Sequence, residues 1–325
     1  MEKLSVKYLG LDLKSPLIVS SSRLTSTIGH LKEAEDNGAG AVVLKSLFEE
    51  QIDHYISIMP SSYAYPEAND YIANYMRANS VDEYLNLIRK AKQTLSIPVI
   101  PSINCITAES WIDFAKNVVS AGADALEVNV FFLPVNKRTT SHEAEALYYL
   151  LIERLKASIS IPVSIKIGSH FTNILHLVDQ FYNRGVEGVV MFNRFYEPDI
   201  DVNTLELIPS SVFSSPEDRR YVLRWIALAS GMDIKIDISA STGVYSGEDA
   251  IRYLLAGADT VQVCSALYKN GVSHIKTINQ EILNWMDKKG FRSISEFRGR
   301  LDYSHIEHPK HFERSQFMKY FSSYD

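Results

Sequence analysis

Two lysines, Lys45 and Lys166, stand inside otherwise apolar runs, Val42-Val43-Leu44-Lys45 and Val163-Ser164-Ile165-Lys166-Ile167. A lysine in such a run is rare without a partner, because burial strips its ammonium of water. Glu127 and Asn129 interleave with apolar residues in Leu126-Glu127-Val128-Asn129-Val130, the pattern of a strand whose alternate side chains face a polar site. The same places in neighbouring segments carry Ser20 and Ser21, Ser46, Ser102 and Asn104, Asn193, Ser241, Thr242 and Gly243, and Ser265. Two cations among hydroxyls and amides suit an anionic ligand. A purely structural Lys–Glu pair with Glu127 is the competing reading.

These residues need elements to hold them. Four segments share a glycine followed by an apolar run, beginning at Gly38, Gly122, Gly185 and Gly257. Between them, Ser15-Pro16-Leu17-Ile18-Val19, Ser96-Ile97-Pro98-Val99-Ile100 and Ser160-Ile161-Pro162-Val163-Ser164 place proline at a strand's start, where a missing N–H is tolerated. Asp233-Ile234-Lys235-Ile236-Asp237-Ile238 fills the fourth such slot. The alternation predicts eight strands. Amphipathic stretches over residues 28–37, 80–95, 109–120, 143–158, 172–184, 217–229, 248–256 and 273–288 predict the helices between them, with Ser80-Val81-Asp82-Glu83 read as a capping box. An α/β fold follows, a single-domain (β/α)8 TIM barrel over residues 1–325, with a doubly wound open sheet as the alternative. In such a barrel the polar residues lie at the carboxyl ends of the strands, where ligands bind.

Thr242-Gly243-Val244 leads into a helix start at Ser246-Gly247-Glu248-Asp249, and Cys264-Ser265-Ala266 follows the last strand. Loops in these two places form the common phosphate site of such barrels. Two segments exceed ordinary loop length. Residues 46–79 hold Tyr55, Tyr63, Tyr65, Tyr71 and Tyr75, and residues 194–216 hold Arg194, Tyr196, Asp199 and Asp201. Each is a candidate lid or substrate wall. The aromatic tail 301–325 is expected to dock on the barrel or on a partner subunit.

Composition narrows the classes. A net charge of −6 argues against a nucleic-acid partner, and no apolar run is long enough to span a membrane. Two cysteines, Cys105 and Cys264, make neither a disulfide framework nor a metal site, and no signal-peptide core opens the chain. A cytoplasmic protein and, from base rates, a homodimer are expected.

Taken together, Ser15-Pro16-Leu17-Ile18-Val19-Ser20-Ser21-Ser22, Val43-Leu44-Lys45-Ser46, Glu127-Val128-Asn129, Ile165-Lys166, Phe192-Asn193, Thr242-Gly243-Val244 and Gly257-Ala258-Asp259 with Cys264-Ser265-Ala266-Leu267 resemble the FMN-dependent dihydroorotate dehydrogenases, nearest the soluble class 1 type. The resemblance runs to about Arg300. It implies that FMN is held by Ser20, Ser21, Lys45, Ser46, Asn129, Lys166, Phe192, Thr242, Gly243, Cys264 and Ser265. It implies a small pyrimidine-like or anionic substrate held by Lys45, Asn129 and Asn193, and a fixed cation, Lys166, near flavin N1 and O2. It further implies hydride transfer between the flavin and a CH–CH bond, with dihydroorotate to orotate as the family's reaction. An electron acceptor is not indicated, and no cysteine cluster for iron–sulfur chemistry is present.

The family's proton-abstracting Cys or Ser falls here at Phe132, which cannot serve as a base. The family's Asn-rich loop after the second strand is replaced by Tyr71 and its neighbours. Cys105, His170, Tyr196 and Tyr71 are weaker candidates for the missing group. The alternatives are therefore a flavin or ene-reductase acting on another substrate, and a flavin-binding subunit without turnover.

Overall fold

The computed structural model describes residues 2–48, 66–105, 109–195 and 197–314, and of residues 2, 48, 66–79, 105 and 109–111 only the backbone path. The chain opens on a short antiparallel hairpin, β1 (Val6–Tyr8) with β2 (Leu11–Leu13). Then come β3 (Leu17–Val19), β4 (Ala41–Val43), β5 (Leu47–Phe48), β6 (Val99–Ile100), β7 (Ser102–Cys105), β8 (Leu126–Val130), β9 (Val163–Ile167) and β10 (Gly188–Met191). A second hairpin, β11 (Pro198–Asp201) with β12 (Glu206–Pro209), precedes β13 (Asp237–Ala240) and β14 (Thr260–Val263).

The parallel segments pair in the order β5-β7-β8-β9-β10-β13-β14-β3-β4-β6. Because β4 runs on toward β5, and β6 toward β7, the two ends of that list belong to adjoining strands, and the sheet closes into the eight-stranded barrel that the alternation of segments predicts. Pro101 divides the third strand, since it has no N–H for the ladder. Beyond the break, Tyr84 holds Ser102 on both sides, its hydroxyl donating to the Ser102 carbonyl at 3.0 Å and accepting from the Ser102 N–H at 2.9 Å.

Helices fill the connections. They are α1 (Ile28–Asp36), α2 (Pro66–Thr94), α3 (Glu109–Ser120), α4 (Ser141–Ser158), α5 (Ile174–Asn183), α6 (Arg219–Gly231), α7 (Gly247–Ala256), α8 (Ser265–Asn270), α9 (His274–Lys289) and α10 (Lys310–Glu313). Most match the predicted stretches within two or three residues. Real capping boxes open α4 (Thr140 with Glu143) and α7 (Ser246 with Asp249).

Several expectations need correcting. Ser80-Val81-Asp82-Glu83 lies inside α2 and starts nothing, since the spacing that caps a helix is equally at home within one. The seventh strand begins at Asp237 rather than Asp233, which sits in a left-handed turn at φ 58°. The short helix α8 directly after the eighth strand and both hairpins are additional.

The core has two parts. One lies between strands and helices and includes Leu31, Ile88, Val42, Val163 and Leu177. The other fills the barrel's base, where Tyr8, Leu9 and Leu13 of the first hairpin meet Ile18, Ala41, Val43, Ile100 and Ala125. Burying side chains of this size stabilises the fold by roughly 1.5–3 kcal/mol each. Each helix is thereby pinned outside and the base is plugged, so the strands' carboxyl ends form the open mouth. No described helix is long and apolar enough to cross a membrane.

Candidate active site

Strand register sets the first tier. Asn104, Asn129 and Lys166 stand side by side across β7, β8 and β9, and one step below, Ser102, Glu127, Ser164 and Gly188 do the same. Lys166 and Glu127 are only 6% and 1% exposed. The ammonium of Lys166 donates to Ser20 Oγ at 3.2 Å and to Gln262 Oε1 at 3.0 Å. Gln262 in turn donates from Nε2 to Glu127 Oε2 at 2.6 Å and accepts from Ser20 Oγ at 3.0 Å. The Lys166–Glu127 separation is 3.9 Å, and Glu127 Oε1 is buried with no hydrogen-bond partner. The Lys–Glu pair is thus real, but Gln262 bridges it, and Lys166 is held at the centre of the mouth by three neighbours.

Around it runs a band of hydroxyls. Ser21 and Ser46 share a hydrogen bond at 2.9 Å, and Ser46 and Ser102 share another at 2.7 Å. After the seventh strand, Thr242 and Gly243 both adopt left-handed backbone, at φ 82° and 74°. Glycine is required at the second position, since a Cβ there would lie 2.8 Å from the Arg219 nitrogen. Thr242, β-branched and strained in this region, is held by its hydroxyl donating to the Phe192 carbonyl at 3.2 Å and by Tyr253 donating to its own carbonyl at 2.6 Å. Ser265 Oγ accepts from the Ser214 N–H and meets the Ser214 hydroxyl, both at 3.1 Å, and the Gly243 N–H reaches Ser214 Oγ at 3.3 Å. Burial pushes the Cys264 thiol up, against the opposing pull of Lys166 and Ser22, so it is a neutral wall rather than a nucleophile.

These residues enclose a hollow of about 160 Å³ lined by Ser20, Ser21, Lys166, Asn193, Thr242, Gly243, Gln262, Cys264 and Ser265 among others. Asn193 donates to Asn129 Oδ1 at 3.0 Å across its edge, and Phe192 is buried beneath. Ser46 stands nearby in the hydroxyl band. Lys45 does not line the hollow. It is exposed, two residues beyond Val43 of the inner core and so on the inward register at the mouth. A larger hollow of about 640 Å³, by Lys7, Lys14 and Arg298, opens at the barrel's other end and holds none of the predicted site residues. The chemistry points to the smaller one.

Phe132 lines a separate cavity of about 60 Å³ with Tyr148, His170 and Phe171. Phe131 packs on Phe195 at 4.4 Å and on His170 at 6.2 Å between ring centres. Burial lowers the pKa of His170, against the pull of the Phe132 backbone group it meets, which favours a neutral ring turned toward the protein. The side chains of Cys105, Tyr71 and Tyr75, together with Tyr55, Tyr63, Tyr65, Tyr196 and the tail beyond residue 314, lie outside the described residues.

Three site residues were not anticipated. Gln262 had a readable signal, since Val261-Gln262-Val263 alternates as Glu127 and Asn129 do. Arg194, noted only as part of a long loop, lines the hollow. Ser214 gave no signal, because its role depends on a contact 51 residues away.

The family model for dihydroorotate dehydrogenase matches residues 3–286. Relatives include the catalytic subunit of dihydroorotate dehydrogenase B (NAD(+)) of Thermoplasma acidophilum, 27% identical over 92% of this chain and 99% of its own. The dihydroorotate dehydrogenase A (fumarate) of Limosilactobacillus reuteri is 26% identical over 91% of this chain and 97% of its own. The chloroplastic dihydropyrimidine dehydrogenase (NADP(+)) of Arabidopsis thaliana is 26% identical over 91% of this chain and 76% of its own. With the barrel, the cation at its mouth and a match spanning most of its length, this chain belongs to the dihydroorotate dehydrogenase family.

Proposed function

We propose that this chain binds FMN without a covalent bond and exchanges hydride between the flavin and a CH–CH bond of a small pyrimidine-like ring. The observation that carries the reading is Lys166, a buried ammonium oriented by Ser20 and Gln262 within a hydroxyl-lined mouth. The residues present fit the cofactor. The left-handed Thr242-Gly243 turn lines the hollow together with Cys264 and Ser265, a corner of hydroxyls and backbone suited to a phosphate, and Glu127 Oε1 is a buried acceptor without a donor. The Thr242, Gly243, Cys264 and Ser265 corner would take the phosphate, and Ser20, Ser21, Ser46, Asn129 and Phe192 would line the ring. When bound, the flavin supplies a two-electron hydride acceptor and donor.

The chain's own part is positioning and electrostatics. Lys166 would hold a fixed positive charge beside a bound flavin, which would favour its reduced form with no proton transferred. Asn129 and Asn193, already bonded to each other, present one amide edge to a substrate's polar rim. Lys45, on the inward register, offers an ammonium to an anionic substituent. At the family's base position, Phe132 offers no proton acceptor. That observation favours a second reading, reduction of an activated double bond, in which the substrate carbon takes hydride and solvent supplies the proton.

The test is spectroscopic. The purified protein, reconstituted with FMN, should be yellow and should bleach under anaerobic conditions. Bleaching by dihydroorotate supports the family reaction, bleaching by nicotinamide cofactors alone supports the reductase, and failure to take up FMN refutes both. Flavin uptake without bleaching by any donor identifies a binding subunit without turnover.

A further inference from the structure

Buried polar groups nearly always find a hydrogen-bond partner, so a cluster of unspent ones marks a place built for a small polar guest. Among the described residues, five buried side-chain polar atoms make no hydrogen bond, and three of them, Tyr8 Oη, Ser164 Oγ and Glu127 Oε1, belong to one corner of the barrel interior. All three residues are 1% exposed. Register sets Ser164 between Glu127 and Gly188. A Cβ on Gly188 would lie 3.3 Å from both Tyr8 Oη and Ser164 Cβ, so the glycine leaves this corner to the two hydroxyls.

Tyr8 reaches the corner from the base hairpin. Burial, and then the negative charge of Glu127, push its phenol well above the ordinary range, so it keeps its proton and can donate. The Ser164 hydroxyl tempers that rise, yet no hydrogen bond of ordinary geometry joins the two. Two hydroxyls and a carboxylate oxygen, close together but unbonded to one another, are the partner set of a single buried water. Glu127 Oε1 is also the atom that lies 3.9 Å from Lys166 Nζ, too far for a hydrogen bond. A bare carboxylate oxygen so near an ammonium would draw it in to about 2.8 Å.

We propose that Tyr8 and Ser164 hold one water molecule against Glu127 Oε1, and that this makes them positioning residues for Lys166. The Tyr8 O–H donates to the water, the water donates to Glu127 Oε1, and Ser164 Oγ meets it from the side. With Oε1 occupied, the Lys166 ammonium stays with Ser20 and Gln262 at the mouth instead of dropping onto the carboxylate. The first hairpin thereby reaches the mouth through the barrel's interior, from Tyr8 to water to Glu127 to Lys166. The consequence for hydride exchange rests on the flavin reading above, whereas the water seat stands apart from it.

Crystal structures of the full chain, wild type and Tyr8→Phe, at a resolution that shows ordered waters, test the seat without any flavin. The wild type should hold one water within about 3.2 Å of Tyr8 Oη, Ser164 Oγ and Glu127 Oε1. Tyr8→Phe removes only the hydroxyl; it should lose that water and bring Lys166 Nζ to about 2.8 Å from Oε1. Ser164→Ala, which keeps the phenol, should do the same and serves should Tyr8→Phe fail to fold. A wild type with no water there, or a variant in which Lys166 has not moved, overturns the proposal. With FMN bound, the midpoint potential of Tyr8→Phe should fall, because a withdrawn cation favours the reduced flavin less; a merely structural tyrosine would leave it unchanged. A potential that stays put although Lys166 has moved refutes the flavin placement and leaves the water seat standing.

Discussion

Replacing Lys166 by methionine keeps the length of the side chain and removes its charge. Glu127, 1% exposed, would then keep Gln262 and lose the only cation within 4.0 Å of it among the described residues. Breaking one side of a buried ion pair costs about 3–5 kcal/mol. The long 3.9 Å separation and the bridging amide place this case at the lower end, about 3 kcal/mol. Against a total of about 5–15 kcal/mol the barrel stays folded. The thermal midpoint should fall by about 5 °C, given a few degrees per kcal/mol for chains somewhat shorter than this. A second substitution, Glu127→Gln, removes the stranded carboxylate and leaves an oxygen for the Gln262 amide, so the double variant should regain most of that loss. Circular dichroism melts of the three proteins read this directly. On the proposed flavin placement, the midpoint potential should fall in both variants, because both lack the Lys166 charge. An unchanged midpoint in the single variant, or a double variant no more stable than the single one, refutes the electrostatic account of this network.

Gly243→Ala forces a Cβ into Arg219 at a left-handed position, so it should destabilise by about 2 kcal/mol or more and lower FMN affinity, read by thermal melts and by flavin content. Burial pushes the Asp259 carboxyl from 3.8 to about 6 despite the Arg298 guanidinium. The folded protein therefore holds that proton more tightly than the unfolded chain, and this group's stabilisation is full below pH 4 and is lost as pH rises through about 6. The loss amounts to about 3 kcal/mol, and Asp259→Asn should flatten that limb of a urea-stability profile between pH 4 and 7. Phe132→Cys should not raise dihydroorotate-driven flavin bleaching, because the side chain at that position packs with Tyr148, His170 and Phe171 rather than lining the hollow that holds Lys166. A marked gain in bleaching rate would show that the position faces substrate.

The barrel was legible because its strands are apolar and bounded by glycine and proline, and because polar residues inside such strands are conspicuous. Glu127, Asn129 and Lys166 announced themselves in that way, and the structure brings all three to one wall. Gln262 obeys the same rule in Val261-Gln262-Val263. Other features leave no periodic trace. The first hairpin has strands of three residues, and its turn puts Leu9 at φ 55° before Gly10, where the usual signal is asparagine or aspartate. The strain at Thr242 is invisible in sequence, since a β-branched residue argues against the conformation it adopts. Ser214 depends on a loop crossing to Ser265, which only the closed barrel creates.

The plug at the barrel's base has a consequence for synthesis. The Leu9 N–H is received by an Asp237 carboxylate oxygen at 2.6 Å, and the two residues are 228 apart in the chain. At about 5–20 residues per second, the hairpin waits roughly 10–50 s after its own synthesis for the seat that will receive it. During that interval Tyr8, Leu9 and Leu13 have no interior to enter, so completion of the ring, rather than growth of any one βα unit, is the event that shelters them.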